Sequence, residues 1–171
     1  AAEAIAKGIE GYLALLENPV EQPGLRHEKV TVVPSTTDKS YAVAITGLRF
    51  GDAAGQGLSL GEIDYRLTQG EHDTYQVDSL KLPGEVPVVI DGKTTAAFRL
   101  ESGPFSAVWS KPLQNFLKLN WQVSNLSLSV TDKPDLIVRA DSVTAATDGK
   151  DDGKGRLDQV TDFVLTGLAV A

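Results

Sequence analysis

Ile5, Ile9, Tyr12, Leu13 and Leu16 fall at helical spacing, with Glu3, Lys7, Glu10 and Glu17 between them. One face of a helix over residues 2–17 is therefore apolar and the other charged. Gly8 and Gly11 sit inside this segment. Each weakens a helix by up to about 1 kcal/mol, so packing rather than propensity must hold it. Asn18-Pro19 predicts the stop, because a residue before proline avoids the α region. Residues 19–27, with Pro23-Gly24, read as an extended linker.

From there the period changes from 3.6 to 2. Lys29–Val33 reads as a short strand. Tyr41, Val43 and Ile45 alternate with Ala42, Ala44 and Thr46, which makes both faces fairly apolar. Leu58 and Leu60, then Ile63, Tyr65 and Leu67, alternate with a phase slip at Gly61, the sequence mark of a β-bulge. Tyr75, Val77, Leu80 and Leu82 follow a turn at 69–73. Val86–Ile90, Asp91-Gly92 and Thr94–Leu100 give the clearest hairpin, an Asp-Gly pair between alternating runs. Ser102-Gly103-Pro104 reads as a break, and Phe105, Ala107 and Trp109 as a short strand. Ser110-Lys111-Pro112 reads as the start of one helical turn. Phe116–Val130 is a long alternating run, and Leu136–Thr147 with Leu157–Leu168 forms a last hairpin around a polar tip at 148–155.

The pattern predicts about nine or ten strands joined mostly by short turns. The fold class is mainly β (α+β): a long, curved antiparallel meander packed on an N-terminal amphipathic helix. One domain covers 1–171, with the helix over 1–18, the linker over 19–27 and the meander over 28–171. A strand of about 14 residues spans roughly 45 Å and must curl around something: the helix, a second sheet or a ligand.

Composition narrows the function classes. The 171 residues carry 16 basic and 23 acidic side chains, a net charge of −7, without the basic footprint of a nucleic-acid binder. No run approaches the roughly 18 apolar residues of a membrane-spanning helix. Cysteine is absent, which removes disulfides, thiol nucleophiles and thiolate metal sites. Methionine is absent too, and the start Ala1-Ala2-Glu3 suits a mature end left by signal peptidase, with an excised fragment as the alternative.

Candidate chemistry is sparse. His72 lies between Glu71 and Asp73 in a turn, and His27 lies in the linker. Neighbouring residues on a strand face opposite ways, so Glu71-His72-Asp73 converges poorly on a metal. Read as a calcium loop from Asp148, the tip puts Lys150 at position three and Gln159 at position twelve, where ligands are required. No metal and no cofactor is expected. Gly55-Gln56-Gly57 lacks the Lys-Ser/Thr of a phosphate loop, and no Gly-x-Ser-x-Gly elbow is present. Glu62 and Asp64 are the nearest thing to paired carboxylates, but the slip at Gly61 obscures their facing. No catalytic residue is assigned, and the chain reads as a non-enzyme. Trp109, Trp121, Phe98 and Phe105, with Ile45 and Tyr12, are the candidate walls of an apolar ligand site, and equally the best core candidates.

The run Gly103-Pro104-Phe105-Ser106-Ala107-Val108-Trp109-Ser110-Lys111-Pro112-Leu113-Gln114-Asn115-Phe116-Leu117-Lys118-Leu119 resembles a group of exported alphaproteobacterial β-rich proteins of unknown function. The helix, Glu28–Pro34 and Tyr41–Ile45 look similar to that group's opening. The resemblance implies a periplasmic bacterial protein and carries over no catalytic residue. The helix-on-curved-sheet pattern is also similar to lipid-carrier and lipoprotein-chaperone folds of the bacterial envelope, a likeness of architecture alone. The leading expectation is a non-enzymatic envelope protein holding a hydrophobic or lipid-like ligand between sheet and helix. The alternative is a structural or assembly module that pairs with protein partners, or with itself, through sheet edges or faces. A hydrolase is a distant third.

Overall fold

The computed structural model describes residues 1–17, 24–52 and 54–170. The helix α1 covers Ala2–Leu16 and is followed by eleven strands. The first six are β1 (Gly24–Arg26), β2 (Lys29–Pro34), β3 (Ser40–Gly51), β4 (Gly57–Gln69), β5 (Thr74–Lys81) and β6 (Glu85–Ile90). The longer ones follow: β7 (Lys93–Ser110), β8 (Asn115–Val130), β9 (Lys133–Asp151), β10 (Leu157–Thr166) and the short β11 (Ala169–Val170). The chain is mainly β, and all its strands join one antiparallel sheet in the order β1-β3-β4-β5-β7-β8-β9-β10.

Three short pairs fill single slots in that order. β1 and β2 share the outer edge of β3, with Arg26 opposite Arg49 and Lys29 opposite Thr46. β5 and β6 lie end to end between β4 and β7: Gln69 pairs Tyr75, while Leu58 pairs Val88. β10 and β11 share β9. The sheet is thus a meander of long ribbons with two edges that pair with no further strand among the described residues, β1–β2 at one side and β10–β11 at the other.

Local sequence explains most of these elements. Asp91 and Gly92 both have positive φ (51° and 74°), the type I′ geometry that closes a two-residue hairpin. The slip at Gly61 is a bulge: the β3–β4 register shifts on both sides of Leu48, and Gly61 takes φ 66°. At the polar tip, Asp152 accepts from the backbone N–H of Lys154 (2.7 Å) and Arg156 (3.1 Å), so its carboxylate closes the turn.

Several sequence-based expectations are corrected. The linker over 19–27 is not wholly irregular, because 24–26 form β1; the end of β3 offers that segment a row of backbone partners. Its earlier part, with Asn18-Pro19 and Pro23, lies outside the described residues. The break at Ser102-Gly103-Pro104 is a bulge inside the continuous β7, where the register to β8 shifts between Ser102 and Phe105. A proline without an N–H is tolerated where the ladder is already interrupted. The helical turn expected after Ser110 is a plain turn, in which Gln114 N–H donates to the Lys111 carbonyl at 3.3 Å. The first strand of the last hairpin runs further into the tip than expected, since β9 continues to Asp151, while β10 begins at Leu157 as expected.

The core lies off-centre. Val43, Ile45, Leu48, Leu67, Val77 and Ala107 are buried under α1, and Leu13 is the one buried residue of the helix. Arg26 on β1 pairs with Glu17 at the helix end (3.2 Å), tying the two together across a half-exposed contact. Beyond the helix, β8 to β10 have no second layer among the described residues, and β10 is exposed along nearly its whole length.

The helix is weak by composition. An isolated segment of its length is marginal in water, and two glycines make it worse. A Cβ on Gly8 or Gly11 would meet nothing within 4 Å. The double variant Gly8→Ala, Gly11→Ala is therefore expected to gain up to about 1 kcal/mol per site. A rise in the urea unfolding midpoint at unchanged slope is the signature; no rise would mean the helix contributes nothing to global stability.

Candidate functional site

The register of the sheet assembles a single aromatic and aliphatic field beneath α1. Directly paired residues project from the same face of a sheet, as do residues two apart along a strand. One cross-strand row runs Tyr41–Leu67–Val77–Ala107–Leu119. The next runs Gln69–Tyr75–Trp109–Phe116. Val43 opposite Tyr65 and Ile45 opposite Ile63 extend the field towards the bulge.

The helix does not close down on this field. Between them lies a half-open cleft of about 470 Å³, within the range of small-molecule sites, about 300–1,000 Å³. Ile5, Ile9 and Tyr12 form its roof, and Ile63, Tyr65 and Trp109 part of its floor. The Trp109 indole spans roof and floor. It meets the Tyr12 ring edge-on at 4.7 Å between centroids and the Phe116 ring at 4.8 Å. Such contacts are each worth about 0.5–1.5 kcal/mol beyond burial.

All four tyrosines of the chain (Tyr12, Tyr41, Tyr65 and Tyr75) line this one cleft. None of their hydroxyls hydrogen-bonds a protein group among the described residues. Burial pushes the Tyr65 hydroxyl well above its ordinary pKa and raises that of Tyr12 as well. Desolvation disfavours the phenolate, so at physiological pH both are neutral donors.

Of the six candidate wall residues, Tyr12, Ile45, Phe105 and Trp109 come together here. Phe98 does not: it pairs Val86 and Leu128 towards the other end of β7, on the far side of the bulges. Trp121 does not either. It pairs Phe105 and Ala145 and lines a shallower groove beside the cleft, meeting Phe105 edge-on at 6.4 Å. Its buried indole Nε1 has no partner among the described residues. Sequence reading missed Tyr41, Tyr65 and Tyr75, although each stands at an alternating apolar position. Their common signal, an amphipathic ring on the strand face that the helix covers, needs the register to be visible.

Neither histidine lines the cleft. Glu62 and Asp64 alternate with Ile63 and Tyr65 and so project from the opposite face. Among the described residues no group of three or more His, Asp or Glu side chains converges in metal-ligating geometry, and no helix is long and apolar enough to cross a membrane. Comparison with protein-family models, with curated proteins and with solved structures finds no match to this chain.

Proposed function

We propose that this chain is a non-enzymatic binding protein of the bacterial envelope, which holds an apolar, lipid-like small molecule in the cleft between α1 and the sheet. The observation that carries this reading is the cleft itself. It is lined almost wholly by apolar and aromatic side chains, and α1, with one buried residue, does not close it with side chains of its own. Apolar surface facing an open cavity forgoes both dispersion contacts and burial, and a ligand that fills the cavity recovers both. The envelope location rests on the sequence resemblance alone.

A neutral apolar dye, N-phenyl-1-naphthylamine, is expected to bind one per chain with a Kd on the order of micromolar, as about 8 kcal/mol of surplus requires. Ile9→Trp places extra volume into the cleft and is expected to abolish that binding while leaving the thermal unfolding midpoint within a few degrees. Dye binding that is absent, or that survives Ile9→Trp unchanged, would overturn the reading.

A second reading has an observation of its own. Phe163 on the edge strand β10 is 74% exposed and Val160 66%. An edge strand with free backbone groups and apolar side chains is a template for another strand. Assembly through β10 would show as a concentration-dependent dimer or a partner complex that Val160→Lys abolishes.

A further inference from the structure

The chain carries 23 acidic and 16 basic side chains, yet among the described residues one charged side chain alone lines the cleft, that of Lys111. Its backbone is fixed in the β7–β8 turn, where the Lys111 N–H donates to the Asp73 carbonyl at 2.9 Å. Its ammonium sits 5.6 Å from the centroid of the Tyr75 ring, itself part of the cleft wall. It makes no ion pair among the described residues.

The polar lining is segregated. Gln69 and Gln114 join Lys111 at the end of the cleft formed by the β4–β5 and β7–β8 turns. Along β4 the lining then passes through Leu67 and Tyr65 to Ile63, with Ile45 and Leu80 at the apolar end. From Gln69 to Ile63 the strand covers roughly 20 Å at about 3.3 Å per residue. Tyr75 pairs Gln69 at the polar end and Tyr65 lies between the ends, and neither hydroxyl has a protein partner among the described residues. Among the described residues no acidic side chain lines the cleft, in a chain that is strongly acidic overall.

We infer that the ligand is a single-chain amphiphile with an anionic head, its alkyl chain under α1 and its head against Lys111 and the unpaired tyrosine hydroxyls. This rests on the proposed binding role of the same cleft and adds the class of ligand. A neutral hydrocarbon would leave the ammonium and the hydroxyls to water. A cationic amphiphile would bring like charge against Lys111. A diacyl lipid is poorly matched to one cleft of about 470 Å³. An anionic head supplies acceptors to both kinds of donor.

The test is calorimetric titration at low ionic strength with four twelve-carbon probes: dodecanoate, dodecyl phosphate, 1-dodecanol and dodecyltrimethylammonium, each below its micellar range. Both anions are expected to bind more tightly than the alcohol, and the alcohol more tightly than the ammonium. The tighter of the two anions distinguishes a carboxylate from a phosphate head. Lys111→Gln should weaken anion binding about fivefold and dodecanol binding by less than about twofold, with Lys111→Arg restoring most of the loss. Added salt should weaken the anions alone. Equal binding of all four probes, or anion binding indifferent to Lys111→Gln, overturns the head-group inference while the cleft reading stands. No binding by any probe overturns both.

Discussion

Trp109→Ala is expected to lower stability by about 3 kcal/mol, the low end for an aromatic truncation because the indole is only half-buried. Two edge-on contacts are lost at once, to Tyr12 on the helix and to Phe116 on β8. For a chain of this size that corresponds to a fall of roughly 10 °C in the unfolding midpoint. Trp109→Phe keeps an aromatic edge between the same partners and should cost about 1 kcal/mol. Circular dichroism melts of the two variants measure the difference. A loss below about 1 kcal/mol in Trp109→Ala would mean that the indole packs against solvent rather than bridging helix and sheet. The same variant should also lose affinity for an apolar dye, because it removes part of the cleft wall while widening the cleft.

Leu13→Ala should act on the helix rather than the sheet. Leu13 is the one helical side chain buried in the core, and truncating such a leucine costs about 2–5 kcal/mol. A helix of 15 residues with Gly8 and Gly11 has little stability of its own to oppose that loss. The expected result is undocking: amides of α1 exchange rapidly, while those of β3, β4 and β7 keep their protection. Hydrogen exchange read by mass spectrometry distinguishes this from a uniform loss. If the sheet loses protection in step with the helix, the two form one cooperative unit and the cleft does not open by helix release. Selective loss would identify α1 as the removable roof of the cleft, and ligand would be expected to slow its exchange.

The free edge at β10 places an apolar path beside the cleft. Phe105, Trp121, Ala145 and Phe163 are successive cross-strand partners, so they share the helix-facing side of the sheet. The path leaves the cleft wall at Phe105 and ends on a side chain that is almost wholly exposed. Carrier and assembly readings therefore meet at Phe163.

The sequence by itself determined the elements. The 3.6 period of Ile5, Ile9, Tyr12, Leu13 and Leu16 specified α1. Strict alternation specified the strands, and Asp91-Gly92 closed its hairpin in the geometry that pair prefers. These are local effects, set by dihedral preference and by which face of a segment is apolar, and they are written in neighbouring residues. Where the chain departs from expectation, at β1 and at the continuous β7, a distant strand supplies backbone partners that no local pattern reveals. The site belongs to that second kind of information. Tyr12, Ile45, Phe105 and Trp109 converge while Phe98 and Trp121 do not, although all six sit at alternating or periodic apolar positions. The bulges of β7 lie between Phe98 and the cleft residues, while Trp121 shares their face but lies one strand further across the sheet, in the neighbouring groove. A slip of one residue would turn each side chain to the other face. The gathering of Tyr41, Tyr65, Tyr75 and Lys111 opposite Tyr12 of the helix is a product of the sheet register, and only the tertiary structure decided it.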